Sequence, residues 1–118
     1  MDTFAAECQA LFDRYVQSYR AGDAAGCGSI YSEDAVLYSP YGPTARGHAE
    51  IVALHEEWLR EDASTKVIRV KSAFSTGADG VCVAVFAEHG QDEGVSFNLL
   101  RAVGSGTWEI VESSLNEI

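Results

Sequence analysis

The sequence is poor in positive charge. Its 118 residues carry 18 acidic side chains against 8 basic ones, which gives a net charge of −10 at pH 7. Only two of the basic residues are lysines, Lys66 and Lys71. Nucleic acids and anionic membranes repel such a surface, so we expect neither as a partner.

Cysteines and long apolar runs are also scarce. The three cysteines are an odd number without close spacing, which predicts neither a disulfide framework nor a zinc motif. No apolar stretch approaches the length of a membrane span. The start, Met1-Asp2-Thr3, lacks the basic segment and apolar run of a signal peptide, so a cytoplasmic protein is expected. The length is that of one ordinary domain, spanning 1–118.

The motifs of common enzyme classes are missing as well. No glycine cluster followed by lysine predicts a phosphate loop, and no serine lies in a nucleophile elbow. His48 and His55 are seven residues apart and His89 is distant, which is not the spacing of a metal site. The sequence therefore predicts neither a metal nor a cofactor.

Hydrophobic periodicity divides the chain into a helical first half and a strand-rich second half. Apolar residues recur at helical spacing from Phe4 to Tyr19, and a shorter helix should follow Asp23 and end near Tyr31, broken at 32–34. A third helix is expected after Gly47. Predicted strands span 35–39, 65–75, 81–89, 95–103 and 107–115, with a loop at 40–43 and glycine turns that include 90–94. This order predicts an α+β fold whose helices cover a curved, mainly antiparallel sheet and enclose a pocket.

The strand at 95–103 has apolar residues on both faces. Phe97 and Leu99 share one face, whereas Asn98 and Leu100 share the other. Such a strand is either buried on both sides within the fold or forms a dimer interface on its outer face. We favour a homodimer.

Several polar side chains occupy positions that should be buried. Tyr15 lies on the stripe of the first helix, His55 interrupts the stripe of the third, and Asn98 stands mid-strand. Each of these could be satisfied inside the core, as buried polar groups usually are. Together with Tyr31 they could instead converge on one cavity, where a ligand oxygen would be their partner.

The chain resembles the nuclear transport factor 2-like superfamily, and within it small bacterial ketosteroid isomerases and SnoaL-like polyketide cyclases. The resemblance covers nearly the whole chain. Its motifs are Arg14-Tyr15-Val16, Arg20-Ala21-Gly22-Asp23, Tyr31-Ser32-Glu33-Asp34-Ala35, Pro40, Gly42 and the segment 47–51. It implies a cone-shaped fold that is commonly dimeric.

The resemblance also assigns roles to individual residues. Tyr15 matches the oxyanion-hole tyrosine of the isomerases, and Asn98 falls where they carry a protonated aspartic acid as second donor. Tyr31 and His55 fall at positions of supporting tyrosines. Ser39, before Pro40, stands where the isomerases have their aspartate base, and a serine hydroxyl cannot replace that base unaided.

Two functions follow as hypotheses. The first is an isomerase- or lyase-like pocket for a hydrophobic ligand with a carbonyl or hydroxyl group, with Tyr15 and Asn98 as donors and His55 as supporting group or base. Tyr31, Ser39, Trp58 and Leu100 would complete the binding wall. The second is a non-catalytic binding or dimeric structural module.

Overall fold

A computed structural model describes residues 3–118 as three helices and one six-stranded sheet. Among these residues, no helix is both long and apolar enough to cross a membrane. The elements are α1 (Thr3–Arg20), α2 (Ala24–Gly28), β1 (Tyr31–Tyr38), β2 (Ala45–Arg46), α3 (His48–Trp58), β3 (Val67–Ser75), β4 (Asp79–Glu88), β5 (Gln91–Gly104) and β6 (Thr107–Glu117).

The predicted amphipathic stripe forms α1. The stripe from Phe4 to Tyr19 is buried against the sheet, and Gly22 follows the helix with a φ of 73°, a conformation that favours glycine. Asp23 caps α2, because its carboxylate accepts a hydrogen bond from the backbone N–H of Gly26 at 2.9 Å. Both boundaries agree with the sequence-based expectation.

The second helix is shorter than predicted. It ends at Gly28, and Tyr31 begins β1 instead of closing the helix. Gly26 and Gly28 are poor helix formers, whereas Tyr31 pairs with Ile110 of β6. The segment 32–34, expected to break a helix, therefore lies within a strand.

The sheet is open and mixed, in the order β2-β1-β6-β5-β4-β3. Strands β3 to β6 form the predicted antiparallel meander. The parallel pairing of β1 with β6 and the two-residue β2 were not anticipated. Neither has a local signal, since the first joins distant segments and the second is too short to show a period.

The turn between β4 and β5 is tighter than expected. Only His89 and Gly90 form it, both with positive φ, and Glu88 pairs with Gln91. Two residues with positive φ are the hallmark of the hairpin turns that match strand twist. Strand β5 therefore begins at Gln91, and the segment 91–94 belongs to the strand.

The predicted fold class is confirmed: helices pack on a curved, mainly antiparallel sheet and enclose a pocket. Helix α1 lies on β3, and α3 lies on β1 and β2. The other face of the sheet is left uncovered in the single chain, where Phe97 and Leu99 remain 51% and 44% exposed. The apolar character of β5 on both faces is thus real.

Candidate functional site

A cavity of about 400 Å³ lies between the helices and the inner face of the sheet. Its wall is rich in aromatic rings, and its entrance carries exposed acidic residues that include Glu57, Glu61 and Glu93. The aromatic members of the wall are Phe12, Tyr15, Tyr19, Tyr31, Tyr41, Trp58 and Phe86. Such a lining suits an apolar ligand with few polar groups.

Tyr15 meets His55 at the inner end of this cavity. The Tyr15 hydroxyl lies 2.7 Å from Nε2 of His55, and Nδ1 of His55 lies 2.8 Å from the carbonyl oxygen of Ile51. Burial lowers the pKa of His55 from 6.5 to about 4, so the ring is neutral near pH 7. Burial also raises the pKa of Tyr15, and the nearby Tyr31 adds to the effect. Both groups are therefore uncharged.

Asn98 is the centre of a second buried network. Its amide nitrogen donates to the carbonyl oxygen of Cys82 at 3.1 Å and to Oγ of Ser96 at 3.0 Å. Its oxygen accepts a hydrogen bond from the Ser113 hydroxyl at 2.8 Å. Three neighbouring strands, β4, β5 and β6, contribute to this network.

Tyr15 and Asn98 line the same cavity, as expected, but their hydrogens are already engaged. Both amide hydrogens of Asn98 have acceptors, and the Tyr15 hydroxyl is bonded to His55. The expectation that both groups offer a free donor to one ligand oxygen does not hold in this arrangement.

Lys66 adds a cationic group to the wall. Its Nζ lies 4.6 Å from the ring centroid of Tyr19, 5.0 Å from that of Phe86 and 3.8 Å from Oε1 of Glu88. Burial lowers the pKa of Lys66, and the Glu88 carboxylate opposes this change. The ammonium is thus held by two ring faces and one carboxylate, with its side chain only 12% exposed.

Comparison with known proteins places this architecture in a family, since residues 12–109 match the SnoaL-like domain. The chain belongs to the SnoaL-like family. No functionally curated protein shows a significant match to the sequence.

Solved structures share the fold. A ketosteroid isomerase-like protein from Erwinia carotovora atroseptica is 17% identical with a TM-score of 0.73, covering 96% of this chain and 95% of that one. An NTF2-like protein of unknown function from Pseudomonas putida is 17% identical with a TM-score of 0.76, covering 94% and 84%. A third, from Shewanella oneidensis and also NTF-2 like and of unknown function, is 15% identical with a TM-score of 0.75, covering 93% and 96%. At these identities the likeness is one of fold, and the SnoaL-like match over residues 12–109 is what confirms the family that the sequence motifs indicated.

Two residues of the predicted binding set lie in the wall of the cavity. Tyr31 and Trp58 line the cavity, and Trp58 donates its indole N–H to the carbonyl oxygen of Tyr41 at 3.3 Å. His55 lies behind Tyr15 and does not line the cavity, so it can act on a ligand only through Tyr15.

Two predicted residues lie away from the cavity. Ser39 follows the end of β1, and its Oγ accepts a hydrogen bond from the backbone N–H of Tyr41 at 3.0 Å. Leu100 pairs with Gly80 and Ile110 in the solid core and is 1% exposed. Neither residue lines the cavity, so the predicted placement of Ser39 and Leu100 in its wall is corrected.

Other cavity residues were missed by sequence reasoning. Ser96 could have been found, because it shares the inward face of β5 with Asn98. Ser113 and Lys66 carry no local signal, since their place depends on the pairing of β6 and on the loop before β3.

Proposed function

We propose that this SnoaL-like chain binds a small hydrophobic molecule bearing an oxygen atom. The observation that supports this most is the cavity itself, where aromatic rings line the wall and buried hydroxyl and amide groups lie at the inner end. An apolar ligand body would pack against rings such as Tyr19 and Trp58, and its oxygen would reach the polar groups near Tyr15 and Asn98.

The acidic entrance bears on the charge of the ligand. Five carboxylates, those of Glu57, Glu61, Asp62, Glu88 and Glu93, line the cavity, against two cations, Arg60 and Lys66. An anion would be repelled there, so an anionic ligand and nucleic acid are both disfavoured. We also expect the chain to act in the cytoplasm, which cell fractionation would test.

The family makes isomerase or lyase chemistry the leading catalytic candidate, with Tyr15, Asn98 and His55 as its polar groups. A proton-transfer step needs a base in reach of the substrate. Ser39 lies off the cavity and His55 is shielded by Tyr15, so neither offers the carboxylate-like base of a ketosteroid isomerase. The second candidate is a non-catalytic binding module, favoured by the internally satisfied bonds of Tyr15 and Asn98.

Ligand binding can be tested by filling the cavity. Ala63 lines the cavity without a polar role, so Ala63→Phe should occupy ligand space. Native mass spectrometry of the purified protein and a thermal-shift screen of neutral polycyclic alcohols and ketones should show binding to the wild type and its loss in Ala63→Phe. Ala49→Phe places the same ring at an exposed position on α3 and is the matched control. Equal responses of all three proteins would contradict the proposal.

We further propose that the outer sheet face forms a homodimer. Phe97 and Leu99 lie opposite Val83 and Val81 of β4, and Phe74 of β3 continues the apolar surface beside Val81. Sedimentation equilibrium at micromolar concentration should report a dimer, and Phe97→Lys should give a monomer because it buries a charge in the interface. Ile118→Lys, at an exposed terminal position, should leave the dimer intact. A monomeric wild type would refute the interface.

A further inference from the structure

The direction of the hydrogen bond between Tyr15 and His55 can be derived from the Ile51 carbonyl. That oxygen can only accept, so Nδ1 of His55, at 2.8 Å, must carry the hydrogen. A neutral imidazole has one N–H, which leaves a lone pair on Nε2. The Tyr15 hydroxyl, at 2.7 Å from Nε2, must therefore donate to it. The Tyr15 oxygen therefore has no free hydrogen for a ligand, but its lone pairs can still accept a hydrogen bond from one.

The donors that remain belong to other cavity residues. Tyr31 lines the cavity, and its hydroxyl makes no hydrogen bond to another residue within 3–118. Its ring lies 6.1 Å from that of His55, and the ring of Tyr15 lies 5.5 Å from the same imidazole. The Ser96 hydroxyl accepts from Asn98 and keeps its own hydrogen as a second donor. Acceptor and donors thus lie around the same inner end.

A ligand hydroxyl fits this arrangement, because it can donate to one group and accept from another. A carbonyl oxygen can only accept, and it would direct its lone pairs towards those of Tyr15. We infer that the cavity selects an alcohol over the matching ketone, with Tyr15 accepting from the ligand hydroxyl, Tyr31 donating to it, and His55 acting as the positioning residue that sets this polarity.

This inference rests on the proposed function and assigns the ligand class within it. It also reverses the polarity of an oxyanion hole, where a tyrosine donates to the ligand oxygen. This reversed polarity follows from the presence of a histidine at position 55. A histidine whose Nδ1 is committed to a backbone carbonyl accepts from Tyr15, whereas a tyrosine hydroxyl at that place could donate to it.

A matched set of probes separates the ligand polarities. We choose 9-fluorenol, 9-fluorenone and fluorene, which share one rigid ring system and differ in the oxygen, and we would measure Kd by titration calorimetry. The wild type should bind the alcohol about three- to tenfold more tightly than the ketone, the range of one neutral hydrogen bond.

Variants assign the preference to individual groups. Tyr15→Phe should remove the preference, because the alcohol loses its acceptor and the ketone no longer faces the lone pairs of Tyr15. Tyr31→Phe should weaken the binding of alcohol and ketone alike, because Tyr31 donates to both. His55→Leu frees the Tyr15 hydroxyl to donate, so the ketone should gain several-fold. Ser39→Ala, off the cavity, should keep the wild-type order.

Each outcome is decisive. Equal binding of all three probes, a ketone preference in the wild type, or an alcohol preference that survives Tyr15→Phe would overturn the inference while the cavity proposal stands. Failure of all three probes to bind the wild type would overturn the proposed function, and the inference with it. If His55→Leu does not fold, the wild type and the two tyrosine variants still decide.

Discussion

His55 should make the stability of this protein depend on pH. The side chain is fully buried, and burial lowers its pKa from 6.5 to about 4 in the folded state. Between these values the unfolded chain binds more protons than the folded one, so stability rises with pH and is lost as pH falls. A shift of one pKa unit corresponds to about 1.36 kcal/mol. The free energy of unfolding should therefore fall by about 2 kcal/mol between pH 7.5 and pH 5.

Urea unfolding at pH 7.5, 6 and 5 measures this contribution when the wild type is compared with His55→Leu. The variant loses the bond from Tyr15 at every pH, which lowers its stability by a constant amount of about 1 kcal/mol. The wild-type free energy of unfolding should then fall by about 2 kcal/mol more than that of the variant over this range. His48→Gln, at an exposed position on α3, should follow the wild type. Parallel profiles for the wild type and His55→Leu would show that His55 is not held neutral by burial, and would refute the reasoning.

Three further predictions concern the core and the cavity. Gly94→Ala should lower stability by about 1–3 kcal/mol in urea unfolding, because a Cβ there overlaps the Phe86 ring and the Asn116 carbonyl oxygen; Gly104→Ala, whose Cβ would meet Thr107 at an ordinary 3.7 Å, is the control. Asn98→Leu should lower the free energy of unfolding by about 1–3 kcal/mol, because the Cys82 carbonyl and the Ser113 hydroxyl lose this partner. Asn116→Leu, at an exposed position, should change the free energy of unfolding little. The protein should isomerise a 5-ene-3-ketosteroid poorly in a spectrophotometric assay, and Ser39→Asp should not restore the rate, since Ser39 is off the cavity; efficient turnover by the wild type would contradict our assignment of the site.

Local patterns allowed much of the fold to be predicted. The stripe of α1, the ending at Gly22 and the cap at Asp23 each depend on residues within a few positions of one another. The meander of β3 to β6 could be predicted for the same reason, because strands joined by short glycine turns pair as antiparallel neighbours.

Features that depend on distant partners could not be predicted this way. The residue types Tyr15, His55 and Asn98 pointed to a polar cavity, but the directions of their bonds are set by backbone carbonyls of Ile51 and Cys82. A backbone group carries no sequence signature. The expectation of two free donors therefore failed although Tyr15 and Asn98 do line one cavity.

The pairing of β1 with β6 has a consequence for how the chain reaches its native state. It joins residues 31–38 to residues 107–117, so β1 cannot take its place in the sheet before β6 is present. Contacts of such long sequence separation carry a loop-closure cost that slows folding. During synthesis, Leu37 lacks its partner Ser113 until β6 has been made. The apolar stripe of α1 likewise stays exposed until the sheet assembles. A nascent chain that stops before Thr107 thus exposes apolar surface to chaperones, because β6 is needed to complete the core around β1.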